Sequence, residues 1–558
     1  MSINEYSLIR QQQGNQKKMS KTQLTVPTPD TTENPGTLTQ KQPLQQWMGE
    51  LPYANPLQTA RLLLKSLSLL NRHPATLSGR ALLMECYHTP FHQLTDSARN
   101  KNRTNTHRDA EELYTLTEKI TIEMSYGYKI AIREEHYFQK GRLAVEQQAK
   151  LVYYALDSLI LSLLFAFAEH RQEPSHIWRE IRQLYLLAEK LGLSKEPVDD
   201  LQHKADSSAT IRSLFKSIVL IMLLDPFKLQ QNEIWQVYSY LTWWGEYARI
   251  TTLKSGAGGN GGRFVIDFQG GEKPHALSQE SPPENPESCL LLDSTPLCNL
   301  ISQQMQIVGT KTMPSIPGLK NLNGPAIQQL FHDMLVAWHL QPQRRHPRQE
   351  RYDWLIIACG ITDIVHFLKH GGVINTDTSE SWMEEELVTI GDTTSSHHAV
   401  THNTFRWRQI NISKSGIGME VSPDNSSGLQ VGQLVLMESE RSENGESWIV
   451  GVVRRFVIRN RDTVEAGIQF IQGKISAGTI KPMVFGTTDI ADFQPALLLD
   501  RGEKQPPAII TPHLMYHPER EYFVDAGKLL KTRIFADKLL QSTSCFERFE
   551  YHTIHLHG

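Results

Sequence analysis

Residues 405–421 read Phe-Arg-Trp-Arg-Gln-Ile-Asn-Ile-Ser-Lys-Ser-Gly-Ile-Gly-Met-Glu-Val. Apolar and polar residues alternate over Phe405–Ile412 and again over Gly418–Val421, which is the period of a half-buried strand. Between the two runs, Asn411–Gly416 has the composition of an Asx/ST turn, and Gly416 is expected to supply the φ > 0 that sends the chain back. A β-hairpin is therefore expected here, and a helix is not.

The same alternation extends outward. Tyr352–Ala358, Leu434–Glu438, Trp448–Phe456 and Glu465–Ile471 are further strand candidates, separated by Gly, Asn and Ser turns. Many short strands with tight turns predict a small β-barrel, placed at residues 323–484. Two departures interrupt it. Ile361–His370 has helical spacing and 371–403 is polar, so the barrel is expected to carry an insertion over 359–403. Beyond Pro482 the strand pattern resumes in Ala496–Leu499, Ile509–Met515, Tyr522–Val524 and Cys545–His552, predicting an additional β element over 485–558.

Upstream the period changes. Asn55-Pro56 supplies a helix N-cap followed by a proline at the first helical position. In Ile177–Leu193 the residues Ile177, Ile181, Leu184, Ala188 and Leu191 recur every three or four positions, with Gly192 where a C-cap belongs. A helical domain is expected over 46–250. Its last helix, Asn232–Ile250, bears an aromatic stripe (Trp235, Tyr238, Tyr240, Trp243, Trp244, Tyr247), which reads as packing area, with a partner-binding groove as the alternative. Residues 251–322, rich in Gly, Pro and Ser, read as a linker with short β and helical elements, followed by an amphipathic helix over Pro325–Leu340. Residues 1–45, rich in Gln, Thr and Pro, are expected to be a disordered tail. The predicted fold class is multidomain α+β: an all-α N-terminal domain, then an antiparallel β-barrel with an insertion and an additional β element.

The whole-chain numbers agree. The 558 residues exceed what one core spans. With 57 Lys+Arg against 60 Asp+Glu and a net charge of -3, the chain lacks the basic excess of a protein dedicated to a nucleic-acid polymer. Five scattered cysteines without a CxxC suit a reducing compartment. The first residues lack a signal-like apolar run, and Leu151–Ala168, interrupted by Asp157, reads as a buried helix and not as a transmembrane segment. A cytoplasmic protein is expected.

The densest basic cluster is Arg344, Arg345, Arg348 and Arg351, just before the first barrel strand. Guanidinium forks match phosphate oxygens and stack on purine faces; a solvated face is the plain alternative. Asn411 and Ser413 offer short donors and acceptors able to read a base edge. Other groups carry less. Ser255–Gly262 is glycine-rich but has no Gly-Lys-Ser/Thr ending and reads as linker. His397, His398 and His402 have no carboxylate or thiolate at ligand spacing. His552, His555 and His557 at best line one face of a terminal strand. No GxSxG elbow or HExxH helix is present, and no metal or cofactor is expected.

Arg344-Arg345-His346-Pro347-Arg348 followed by Asn411–Gly416 resembles the RxxxR and D/NxSxxG motifs of the PilZ domain, a bacterial receptor module for cyclic di-GMP. The Val431-Gly432 turn, the strand WIVGVVRRF and the ending Gly467-Ile468-Gln469-Phe470 follow in the family's order. The resemblance covers roughly residues 340–480. It implies that Arg344 and Arg348 hold the ligand's phosphates and stack against guanine, that Asn411 and Ser413 bond guanine edges, and that Gly416 keeps the turn tight; Arg345 is an extra contact by position. Two departures stand out: Arg348 and Asn411 lie 63 positions apart, and asparagine replaces the commoner aspartate at 411. The resemblance thus implies a non-enzymatic receptor, with cyclic di-GMP as ligand and an unidentified protein partner reached through the helical half. The alternative is a PilZ-like interaction module in a surface-assembly system that has lost its ligand.

Overall fold

The computed structural model describes residues 24–30, 36–73, 79–100, 107–134, 144–199, 209–230, 232–253, 261–270, 273–278, 283–308, 315–320, 322–340, 346–369, 404–421, 429–438, 448–460, 462–483, 492–502, 505–527 and 532–554. They form two compact units. The first comprises the chain to Ala166 with Glu173–Leu223 and Tyr238–Leu297; the second comprises Phe167–Gln172, Leu224–Val237 and Cys298 onward.

The first unit is helical: α1 (Lys41–Gly49), α2 (Pro56–Arg72), α3 (Arg80–Arg99), α4 (His107–Glu134), α5 (Val145–Ala168), α6 (Ser175–Leu191), most of α7 (Ile211–Leu224) and the end of α8 (Glu233–Trp244). Local chemistry sets the boundaries as the sequence predicts. The Asn55 side chain accepts from the Gln58 backbone N–H at 3.0 Å, capping α2 ahead of Pro56. Gly192 ends α6 at φ 74 while the Leu193 N–H reaches back to the Ala188 carbonyl at 2.8 Å. Helix α5 is long and apolar enough to cross a membrane, and every residue from Leu151 to Ala166 is buried. Deep in the bundle Lys129 and Glu180 form an ion pair at 2.7 Å with side chains 1% and 0% exposed.

Three expectations are corrected in this unit. Residues 1–45 were expected to be structureless, yet α1 begins at Lys41 and buries Leu44 and Met48. Leu24 is also buried, and the Thr25 N–H donates to Glu180 Oε1 at 2.9 Å. The Gln- and Pro-rich composition concealed a few apolar anchors. The helix expected to run to Ile250 stops at Trp244, and Arg249–Thr252 is a strand. The stretch read as linker builds an antiparallel sheet of order β1-β4-β2-β3, from β1 (Arg249–Thr252), β2 (Arg263–Asp267), β3 (His275–Ala276) and β4 (Cys289–Asp293). Its core is small, centred on Val265, Leu277 and Cys289.

Helix α9 (Thr295–Val308) leads into the second unit, with α10 (Gly324–Leu335), continued by a π-helical turn Val336–Leu340, and α11 (Ile361–Lys369). Its first sheet contains β5 (Gln349–Glu350), β6 (Trp354–Cys359), β7 (Thr404–Ser413), β8 (Gly416–Val421), β9 (Leu434–Glu438), β10 (Trp448–Ile458) and β11 (Val464–Phe470). Six of these follow one another as β7-β6-β9-β10-β11-β8, and the β7–β8 pairing closes the ring, while β5 adds to β7. Closure removes exposed edges. Ile357, Trp407, Ile417, Met419, Val435 and Val453 fill the interior. The insertion expected over 359–403 contains α11; the rest of it lies outside the described residues.

The expected terminal β element is itself a closed barrel of order β12-β13-β14-β17-β16-β15, from β12 (Lys474–Pro482), β13 (Gln494–Asp500), β14 (Ala508–Pro512), β15 (Glu521–Asp525), β16 (Thr532–Ser542) and β17 (Phe546–Thr553). The boundary set at 484/485 moves with it, because β12 pairs with β13 and β15 and so belongs to the second barrel. Between the barrels Leu434, Leu436, Val450 and Val452 pack with Leu497, Leu499 and Ile510, together with Ile364 and Val365 of α11.

Candidate functional site

Strands β7 and β8 form the hairpin that the alternation predicts. Ser413 pairs with Gly416, Ile412 with Ile417 and Asn411 with Gly418, and a register shift follows between Gln409 and Asn411. The bulge has a consequence for orientation. It carries Asn411 and Ser413 onto the same outer face as Arg408, because cross-strand partners share a face and Gly416, Gly418 and Glu420 alternate with the buried Ile417, Met419 and Val421.

The turn is tied down from both sides. Ser413 Oγ donates to the Gly416 carbonyl at 3.1 Å, and the Phe470 N–H of β11 donates to the Ser415 carbonyl at 3.0 Å. Lys414 and Ser415 are exposed at its tip. Gly416 does not have the positive φ expected of it. Its requirement is close approach: a Cβ there would stand 2.3 Å from the Ile468 carbonyl oxygen.

Asn411 lies over Gly418, where a Cβ would meet Nδ2 at 2.9 Å and Oδ1 at 3.0 Å. Its Oδ1 is shielded from solvent and accepts no hydrogen bond from the described residues, an arrangement that costs free energy.

Strand β5 brings the arginine segment alongside. Gln349 pairs with Ile412 and Glu350 with Asn411, so the register continued by one residue sets Arg348 level with Ser413. Arg348 is exposed. The Arg351 N–H donates to the Ile410 carbonyl at 3.2 Å, and its guanidinium pairs with Asp353 at 2.5 Å, so Arg351 holds the strand in place. Arg344 and Arg345 lie outside the described residues. Arg348, Asn411, Ser413 and Gly416, spread over 69 positions of sequence, therefore meet at one end of one hairpin.

The structure adds residues that sequence reasoning missed. Trp354 pairs with Arg408, and Arg408 with Glu420, across three neighbouring strands. The Arg408 guanidinium lies 5.3 Å from the Tyr352 ring centroid. Tyr352 and Trp354 are 57% and 62% exposed. Both were assigned to a strand candidate, but period two alone does not say which face is buried.

Among the described residues no group of three His, Cys, Asp or Glu side chains is placed to hold a metal ion. His397, His398, His402, His555 and His557 lie outside the described residues, and His552 Nδ1 lies 2.9 Å from Asp537 Oδ1.

A helical unit followed by two closed antiparallel barrels defines a multidomain α+β protein. Residues 42–255 match the family model of the N-terminal domain of the cyclic-di-GMP receptor FimW, and residues 483–554 match the model of the FimW C-terminal beta-barrel domain. The cyclic-di-GMP receptor FimW of Pseudomonas aeruginosa is 22% identical over 566 aligned positions, spanning 91% of this chain and 90% of that protein. Both domain models belong to one receptor, so the chain is similar to it at both ends; the hairpin site lies in the stretch between them.

Proposed function

We propose that the chain is a bacterial cyclic di-GMP receptor that binds the dinucleotide on the outer face of its first barrel. The observation that supports this reading is the β5–β7 pairing of Gln349 with Ile412 and Glu350 with Asn411, which brings the segment that follows Arg348 alongside Ser413 and the Oδ1 of Asn411, an atom with no hydrogen-bond partner among the described residues. Arg348, with Arg344 and Arg345 from the preceding segment, would meet the phosphates and the purine faces. Asn411 and Ser413 would bond a guanine edge, and the missing Cβ of Gly416 lets the turn lie against β11. The similarity to FimW at both ends supports the ligand class, and the PilZ resemblance supplies the residue roles.

The protein acts by binding and not by catalysis, in the cytoplasm. Ligand that binds better when the arginine segment is closed on the hairpin shifts the population toward that state, and the helical half passes the change to a protein partner. The test is isothermal titration of cyclic di-GMP into the full chain, with GTP and the Arg344→Ala/Arg348→Ala variant as controls. A Kd near micromolar, about -8 kcal/mol, lost in the variant and not reproduced by GTP, is the expected result. Absence of binding by the folded wild type would leave the barrel as a PilZ-like protein-interaction module.

A further inference from the structure

The turn at Asn411 and Ser413 accounts for one purine, and cyclic di-GMP carries two. From Asn411 to Arg408 along β7 is about 10 Å at ~3.3 Å per residue, a distance a dinucleotide can span. There the outer face carries Trp354, Arg408 and Glu420 in register with one another, with the Tyr352 ring against the Arg408 guanidinium. We propose that these four residues form a second base site, in which the ligand's other guanine stacks on the aromatic rings and is read by Glu420. The proposal rests on the receptor reading above and adds to it the residues that select guanine over adenine.

Three observations carry it. Two large aromatic side chains more than half exposed, two residues apart on one face, are an unused stacking surface next to a site that needs one. Arg408 already lies against the Tyr352 ring, so the platform is held in place and is cationic where an anionic ligand approaches. Glu420 lies 4.0 Å from Arg408 Nη1, too far for a hydrogen bond, so its oxygens keep acceptor capacity. Guanine presents adjacent N1–H and N2–H donors that one carboxylate accepts together, whereas adenine presents an acceptor at N1 that a carboxylate repels.

The experiment titrates cyclic di-GMP and cyclic di-AMP into the full chain by calorimetry, and follows tryptophan emission in wild type and Trp354→Phe. Tyr352→Ala should weaken cyclic di-GMP roughly tenfold, with Tyr352→Phe restoring it. Glu420→Gln should narrow the gap between the two ligands, and the ligand-induced emission change should shrink in Trp354→Phe. All four positions are at least partly exposed, and unchanged thermal melting will establish that the variants fold. Wild-type affinity and selectivity in Tyr352→Ala and Glu420→Gln, with binding lost in Arg348→Ala and Asn411→Ala, would overturn the second base site and leave the receptor reading standing. Wild type that binds neither ligand would remove both.

Discussion

Gly416 has no side chain because the Ile468 carbonyl occupies its place: a Cβ would lie 2.3 Å from that oxygen, and the obstruction is backbone of the neighbouring strand. Backbone cannot rotate aside as a side chain does, so Gly416→Ala must push β8 away from β11. The Gln469–Gly416 and Ile468–Ile417 pairs would open first. The expected cost is about 1–3 kcal/mol, as for other overpacked sites, read as a lower melting temperature. Ligand affinity should fall with it, since Ser413 bonds to the Gly416 carbonyl. A variant that melts with wild type would show that the barrel adjusts there at no cost.

Arg348 is exposed and immediately precedes β5, whose first residue pairs with Ile412, so its removal should disturb binding more than folding. A charge-assisted contact is worth about 1.5–3 kcal/mol, and Arg348→Ala should therefore weaken cyclic di-GMP by roughly ten- to a hundredfold. Arg348→Lys keeps the charge but loses the planar fork and should recover only part of the loss. Calorimetry at two salt concentrations checks both, since the wild-type affinity should depend on salt more steeply than that of the alanine variant. Equal affinities in all three proteins would remove Arg348 from the site.

The hairpin was legible because its determinants are local: an alternating run, a polar turn and a glycine within 17 residues. The reason for that glycine was not, since the atom it avoids belongs to Ile468, 52 positions away. Strand β16 escaped notice because register shifts between Ala536 and Leu539 and between Leu539 and Gln541 break period two. Strand β12 was missed because Ser476, Gly478 and Thr479 dilute its apolar alternation. The second barrel was accordingly read as a loose β element. Trp354 was legible as a strand residue but not as an exposed one, because exposure depends on which neighbours arrive from elsewhere in the chain.

The buried pair in the helical unit gives a stability prediction independent of any ligand. Lys129 and Glu180 are almost inaccessible to water, and Glu180 also accepts from the Thr25 N–H. Removing one partner strands a buried charge, so Lys129→Met should cost about 3–5 kcal/mol. The double variant Lys129→Met/Glu180→Leu should recover much of that, because both desolvation penalties disappear together. Thermal melts of the two proteins decide it: a double variant no more stable than Lys129→Met would mean that the Thr25 bond matters more than the charges.

Glu233, in the second unit, gives a pH dependence whose sign follows from its surroundings. Burial pushes its carboxyl up to about 7 from the ordinary 4.5; the Gln230 N–H, which donates to it at 2.6 Å, opposes the rise, and Asp333 adds to it. Burial raises the Asp333 carboxyl as well. A raised carboxyl means the folded state holds its proton more tightly than the unfolded chain, so the contribution to stability is full below 4.5 and is lost as pH climbs through about 7. The second unit should therefore melt at progressively lower temperature across that window. Glu233→Gln holds the neutral state at every pH and should flatten the slope, leaving only the share of Asp333, which Asp333→Asn removes. Melting temperatures measured from pH 4.5 to 8 test this directly. Parallel curves for wild type and Glu233→Gln would mean that this carboxyl titrates no differently in the folded protein than in the unfolded chain.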